Sequence, residues 1–231
     1  MRSPIQTRFE DMPRELAIFP LSGALLLPWG RLPLNIFEPR YLNMTLDALK
    51  AGRIFGMIQP DADKTPKDKI LGDKVIQESE SAIYGVGCAG RIASFEETED
   101  GRLLILVKGL ARFRVVKEID GHNGYRRVLA DYEDFYDDLE APAKAHFNRE
   151  QLLRYLKPYL EVQSMPINLD VLKGLSDATL ITSLCMICPF APREKQALLE
   201  ASDMTERAAT LEKLLQMGVF ETGGSPDAPK Q

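Results

Sequence analysis

This chain carries few residues suited to metal, disulfide or phosphate chemistry. Three cysteines (Cys88, Cys185, Cys188) and two histidines (His122, His146) are all that 231 residues provide. Three cysteines cannot close a disulfide framework, so a reducing, cytoplasmic setting is expected. Cys185 and Cys188 have the spacing of half a zinc site, but no second pair accompanies them and neither histidine lies at ligand-like spacing. On an apolar segment they read as small core residues, and neither metal nor cofactor is expected. Long apolar runs are missing as well. The longest, Thr179 to Ala191, is broken by Pro189 and falls short of the ~20 residues a membrane span needs. The segment Met1 to Glu10 has no apolar core and does not read as a signal peptide. A basic excess is also lacking. With 34 acidic against 29 basic residues the net charge is -5, which argues against a general nucleic-acid coat.

Catalytic signatures are equally scarce. The chain has no G-x-x-x-x-G-K-[ST], no G-x-S-x-G and no H-E-x-x-H, and no Ser–Lys pair stands in a recognisable setting. One literal G-x-G-x-x-G occurs, Gly85-Val-Gly87-Cys-Ala-Gly90. A dinucleotide fingerprint needs a helix opening on it and an acidic residue ~20 positions later. Here Arg91 to Phe95 reads as strand and the distal position is Leu110, so these glycines read as bulges or close-packing points. The carboxylate pairs Glu96-Glu97 and Asp137-Asp138 fall in predicted loops and read as solvated surface.

What is present is an ordinary globular composition, 45% hydrophobic and 27% charged, with a change of texture midway. Residues 1–14 are polar and read as a tail. Leu16 to Leu21, an apolar run with a proline, suits an edge strand or barrel rim. Leu25 to Gly30 is an apolar loop and Leu34 to Phe37 the next strand. Pro39 opens a helix carrying Leu42, Leu46 and Leu49, and Gly52 closes it. Ile54 to Ile58 is a strand and Asp61 to Lys69 a charged loop. From Val75 to Glu133 the pattern is β throughout: Ala82 to Phe95, Leu103 to Lys108, Phe113 to Ile119 and Tyr125 to Tyr132. Turns fall at Thr98 to Gly101, and at Asp120-Gly121 with Asn123-Gly124. Closely spaced strands with one early helix predict a partly closed β-barrel or two curled sheets.

Asp134 to Pro142 reads as an acidic linker, and no good strand follows it. Phe147 to Leu160 has helical spacing. Asn168 caps a short helix through Leu169, Val171 and Leu172, and Ser176-Asp177 caps one ending before Pro189. Pro192 opens another helix. Asp203 to Glu206 resembles a capping box before a last helix that Gly218 closes. The expected organisation is α+β: a β-rich subdomain at 15–135, a helical subdomain at 143–218, and flexible tails at 1–14 and 219–231. No internal repeat is visible.

Two surface features stand out. Arg112, Arg114, Lys117, Arg126 and Arg127 lie on two adjacent predicted strands. They could hold phosphate backbone, although alternating solvent-facing positions on a sheet explain them more simply in an acidic chain. Leu25, Leu26, Leu27 and Trp29 form an apolar loop that either folds onto the core or meets a partner; the leucines suit the core better.

Leu16-Ala-Ile-Phe-Pro-Leu, Leu27-Pro and Leu32-Pro-Leu-Asn-Ile-Phe-Glu-Pro-Arg-Tyr-Leu together resemble the opening of the Lon protease amino-terminal domain. The similarity continues through Gly85 to Ile92, the Asp100-Gly-Arg hairpin, Val107 to Arg114, Leu175 to Ala178 and Glu194 to Asp203. It covers about Glu15 to Met217. The resemblance implies a PUA-like β-pseudobarrel followed by an all-helical bundle, in a stand-alone form without the family's ATPase and protease regions. It also implies a non-enzymatic module of bacterial type that captures unfolded or exposed-apolar polypeptide, as an adaptor or chaperone-like factor with a protease or chaperone as partner. The polypeptide-binding residues expected are Leu27, Trp29, Phe37, Arg40 and Tyr41; an internal structural corner at Phe37 to Tyr41 is the competing reading. The alternative function is RNA binding through Arg112, Arg114, Arg126 and Arg127. A small-ligand enzyme would instead require a deep pocket with convergent polar groups.

Overall fold

A computed structural model describes residues 7–64, 81–142, 144–165 and 172–221. The chain divides into two compact units, Met1–Ala141 and Pro142–Gln231. The expected strand content at 75–80 and the cap at Asn168 lie outside the described residues.

The first unit is built from β1 (Glu15–Pro20), β2 (Arg31–Ile36), α1 (Pro39–Lys50), β3 (Ile54–Ile58), β4 (Val86–Glu97), β5 (Leu103–His122) and β6 (Tyr125–Asp131). β1 pairs in parallel with β3 and antiparallel with β6, and β3–β4, β4–β5 and β5–β6 are all antiparallel. Five strands therefore close into a ring, and β2 joins from outside along Leu103 to Lys108 of β5. Closure is possible because β5 runs for 20 residues, meeting β2 at its start and β6 at its end. β3 pairs with β4 only as far as Arg91. Beyond that residue β4, the start of β5 and β2 continue as a three-stranded ribbon.

Phe113, fully buried, sits in the core of the ring among Leu16, Ile18, Val128 and Tyr132. A Cβ at Gly56 or Gly87 would come within 2.8 or 2.5 Å of its ring, and one at Gly90 within 2.4 Å of Val107. Gly87 and Gly90 of the G-x-G-x-x-G run thus make room for core side chains, the role expected of them in a strand, whereas a Cβ at Gly85 would meet nothing within 4 Å.

Several elements differ from the sequence-based expectation. β1 is paired on both sides and is not an edge; Pro20 is accommodated because the β6 ladder spans only Glu15 to Ile18. The two strands expected at 103–108 and 113–119 are one continuous strand, since Gly109 admits a neighbouring backbone without ending the strand. Asp120-Gly121 lies within β5, and the turn is made by Asn123 and Gly124, at φ +46° and +86°. α1 buries Tyr41, Met44, Thr45 and Ala48, not the leucine row. Tyr41 stacks on Phe19 of β1 with ring centroids 4.0 Å apart, which turns Leu46 outward. The expected linker at 134–142 is largely a 3-10 helical segment, Glu133–Leu139, packed on β5. The segment before β1 is not wholly loose either: Phe9–Asp11 forms a 3-10 turn, Met12 is buried and Phe9 packs on the core.

Four helices make up most of what is described of the second unit: α2 (Arg149–Val162), α3 (Asp177–Ile187), α4 (Pro192–Glu200) and α5 (Met204–Glu221). The first three pack on α5. Asn148 and Ser176 cap α2 and α3, accepting from the Gln151 and Thr179 N–H at 3.1 and 3.2 Å. Asp203 accepts from the Glu206 N–H at 2.8 Å, while the Glu206 carboxylate reaches back to the Ser202 N–H at 2.6 Å. Cys185 and Cys188 are fully buried in this core, and desolvation pushes both thiols up to about 12. They stand there as neutral apolar groups.

Gly218 does not end the last helix, which continues to Glu221 with Val219 fully buried, so residues 219–221 of the expected tail at 219–231 are helical and the rest lies outside the described residues. A Cβ at 218 would lie 2.5 Å from the Tyr159 ring; the glycine is a seat for that ring. Helix propensity alone favours Gly218→Ala by up to ~1 kcal/mol, whereas overpacking costs ~1–3 kcal/mol. The variant is expected to unfold at a lower urea concentration than the parent, and a higher midpoint would show the contact to be slack.

Candidate functional site

The site is built around Gly109. A Cβ there would lie 2.0 Å from the Leu27 carbonyl oxygen, so only glycine lets the 25–30 loop lie directly on β5. The Trp29 N–H donates to the Gly109 carbonyl at 3.1 Å, and the Gly109 N–H donates to the Gly30 carbonyl at 2.9 Å. The loop turns at Trp29, at φ +67°, with the Gly30 N–H donating to the Leu27 carbonyl at 2.9 Å. Leu25, Leu26 and Leu27 go into the core, and the indole remains 39% exposed. Its Nε1 donates to the Asp138 main-chain carbonyl at 2.9 Å, and Lys108 Nζ lies 4.7 Å from the ring centroid, a cation–π contact.

Asp138 also holds the 133–139 segment in place. Its carboxylate accepts from Arg112 Nε at 2.8 Å, Arg112 Nη2 at 2.9 Å and the Arg112 N–H at 2.9 Å. Both side chains are nearly buried, and the guanidinium lies 4.7 Å over the Phe135 ring. The bidentate geometry with a third main-chain bond is what a desolvated pair requires to be stable.

Trp29 and Lys108 border a cleft of about 240 Å³ whose other walls include Arg53, Arg91, Ile92, Leu110 and Leu139. Gly52 and Arg53 are both left-handed, at φ +77° and +67°. The Arg53 N–H donates to the Ala48 carbonyl at 2.7 Å, and its carbonyl accepts from the Ile92 N–H at 2.9 Å. Arg53 is thereby pinned between the end of α1 and β4. Across the ribbon Arg91 stands opposite Lys108, and Lys108 opposite Arg31. Three cations in one cross-strand row is an arrangement that sheet energetics disfavour. Among the described residues, Arg31, Arg53 and Lys108 enter no ion pair.

Further along the ribbon this face of β5 turns apolar, with Asn35 and Glu96 opposite Leu104 and Pro33 and Ser94 opposite Leu106. Leu103, Ile105 and Val107 of β5 point into the core, while Leu104 is 43% exposed and Leu106 half-buried. Leu104 and Leu106 share their face with Lys108, and Pro33 of β2 stands opposite Leu106. Phe37, just beyond β2, is 60% exposed, with Arg102 Cζ 6.0 Å from its ring centroid. A shallow depression of about 460 Å³ crosses this part of the ribbon, bordered by Pro33, Leu34, Phe95, Leu104 and Leu106 among others.

The profile of the ATP-dependent protease La (LON) substrate-binding domain matches residues 15–217. The chain belongs to the LON substrate-binding domain family. It is 25% identical over 222 residues to a Lon protease of Anaeromyxobacter dehalogenans, an alignment covering 93% of this chain and 24% of that protein. It is also 25% identical over 240 residues to Lon protease 2 of Bdellovibrio bacteriovorus, covering 95% and 28%. The chain thus spans about a quarter of the length of these curated relatives. Among solved structures, a Lon N-terminal domain protein from Xanthomonas campestris superposes with a TM-score of 0.55 at 24% identity, covering 87% of this chain and 97% of that one. The N-terminal domain of the Mycobacterium avium complex Lon protease gives 0.51 at 13% identity, covering 87% and 98%. Both are similar in fold.

In this LON domain the five residues expected to meet polypeptide do not form one surface. Leu27 is core, and Tyr41 is buried against Phe19. Arg40 is held by Glu38 at 2.7 Å and lies 4.5 Å over the Tyr41 ring, which makes Phe37 to Tyr41 largely an internal corner. Trp29 and Phe37 are the exposed ones, at opposite ends of β2. The arginines expected to hold phosphate each face a carboxylate: Arg112 with Asp138, Arg114 with Asp134, Arg126 with Glu118, and Arg127 with Glu15. Arg112 is buried rather than solvent-facing, and Asp138 is its counterion rather than solvated surface. Arg31, Arg53, Arg91 and Lys108 were not singled out from sequence, because their juxtaposition depends on strand register.

Removing one partner of a buried pair strands the other charge, at about 3–5 kcal/mol. Asp138→Ala is therefore expected to lower the denaturation midpoint strongly and to shift Trp29 fluorescence, whereas Asp134→Ala, whose partner Arg114 is exposed, changes stability by less than ~1 kcal/mol. Equal effects of the two substitutions in urea titrations would contradict this assignment.

Proposed function

We propose that this domain is a non-enzymatic recognition module for exposed apolar segments of unfolded polypeptide, binding them on the ribbon face of β2, β5 and β4. The carrying observation is the apolar character of both faces of the start of β5. A strand with one face on the core normally turns polar residues outward; here the outward positions include Leu104 and Leu106, flanked by Pro33 and Phe37. Exposed apolar groups gathered on one face mark interaction surfaces. Their burial under a client contributes ~25 cal/mol per Å² before ordering costs. The family's substrate-binding role supports the same reading.

The matched region is the substrate-binding part of proteins about four times its length, so proteolysis is not part of the proposed activity. An adaptor or chaperone-like role, in the cytoplasm and alongside a protease or chaperone, fits a module that binds without processing. A PUA-like pseudobarrel is the description that the strand ring suggests. RNA binding has less support, because the four arginines proposed for it are engaged with carboxylates.

The test is binding of a labelled, permanently unfolded polypeptide to the full chain. Binding is expected to persist at high salt. It should weaken by about tenfold, or about 1.4 kcal/mol, in a Phe37→Ser/Leu104→Ser variant that keeps the parent's stability. Absence of binding by the parent, or an undiminished variant, would overturn the proposal.

A further inference from the structure

The cation row and the cleft beside Trp29 go beyond general capture of apolar segments. Lys108 stands directly opposite Arg91 on one side and Arg31 on the other, and Arg53 is fixed at the cleft by its own main-chain bonds. Like charges facing each other across strands are destabilising. Arg112, Arg114, Arg126 and Arg127 on the same barrel are matched with carboxylates, whereas Arg31, Arg53 and Lys108 enter no ion pair among the described residues. The nearby Asp138 does not relieve the cleft, because its carboxylate is committed to Arg112 through three hydrogen bonds. The result is a small electropositive hollow in a chain of net charge -5, a setting that concentrates a matching anion.

The other walls narrow the class of anion. Trp29, Ile92, Leu110 and Leu139 give the cleft an apolar side, and its 240 Å³ lies just below the ~300 Å³ at which ligand pockets begin. That volume suits one end of a chain rather than a folded surface or a run of nucleotides. An α-carboxylate next to an apolar side chain carries both features on a single residue. An internal aspartate or glutamate supplies the charge without the apolar group. Leu104 and Lys108 share a face and lie four residues apart, about 13 Å along β5. An extended segment lying on Leu104 and Leu106 would therefore bring its end to the cations.

We infer that the cleft between Trp29, Lys108, Arg53 and Arg91 receives the free carboxyl terminus of a polypeptide, with an apolar last residue against the indole. The inference rests on the polypeptide reading above and adds to it a directional anchor. Capture at a chain end fixes which segment lies on the ribbon and in what orientation.

Trp29 is the only tryptophan in the chain, so its emission reports on the cleft directly. The experiment titrates the full chain with a short tryptophan-free peptide ending in leucine, with a free carboxyl end. The comparison peptides are the same sequence amidated at its end, the amidated peptide with an internal glutamate, and the amidated peptide with an internal phosphoserine. The free-acid peptide is expected to saturate the Trp29 signal and to bind at least about tenfold more tightly than the amide. Lys108→Gln and Arg53→Gln should each reduce that preference. Lys108→Gln is also expected not to lower the denaturation midpoint, since it relieves like-charge opposition; a structural role for the lysine would lower it. Equal binding of acid and amide would overturn the terminal-carboxylate site while leaving polypeptide capture intact. Equivalent binding of the glutamate or phosphoserine peptide would overturn it in favour of a general anion site. Failure of every peptide, together with failure of the unfolded polypeptide, would remove both readings.

Discussion

Contact between the 25–30 loop and β5 at Gly109 is the constraint from which the site follows. With 2.0 Å between a would-be Cβ and the Leu27 oxygen, no other residue permits the two-way main-chain bonding that seats the loop. Three leucines then enter the core and one indole stays outside. The indole in turn meets Asp138, which secures the 3-10 segment through Arg112, and Lys108, which borders the cleft. Loop, strand and helical segment are coupled through a few ångströms of backbone. Side-chain substitutions around the cleft should therefore alter binding without dismantling it, whereas a side chain at 109 should displace all three elements.

The charges of the first unit sort into two groups. Arg112, Arg114, Arg126 and Arg127 are matched with acidic partners and act as fastenings, the first in a buried pair and the others nearer the surface, where each contributes little. Arg31 and Lys108 enter no ion pair among the described residues, and strand register sets both in one row with Arg91, a cost the fold accepts beside an apolar strip. An apolar surface gives affinity for unfolded chain with little sequence preference, while a cluster of cations at its end adds selectivity. The juxtaposition of the two is what a module sorting polypeptide segments needs.

Much of the fold was legible in the sequence because it rests on local signals. Pro39 and Pro192 opened helices, Ser176 and Asp203 capped them, and Asn123-Gly124 turned a hairpin. What was not legible depended on contacts between distant residues. Gly218 was read as a helix stop, and Gly109 fell in the gap between two expected strands, but they are seats for the Tyr159 ring and the Leu27 backbone. Asp134 to Pro142 looked like linker because its carboxylates are indistinguishable from solvated ones until Arg112 is known to face Asp138 from β5. The burial of the expected binding residues was hidden for the same reason. Trp29 and Phe37 are exposed, yet Leu27 and Tyr41 were assigned by proximity in sequence to surface positions they do not occupy. The cation row had no one-dimensional signature, since Arg31, Arg91 and Lys108 meet only once β2, β5 and β4 are in register.

Backbone amide NMR of the full chain, titrated with an unfolded polypeptide, tests the ribbon as recognition surface most directly. The largest shift changes should fall on Arg31 to Phe37, Ile92 to Glu97 and Leu103 to Lys108, with the Trp29 indole N–H moving alongside them. Changes concentrated on the Arg112 to Arg127 face, or on the helices of the second unit, would contradict the ribbon as the site of capture.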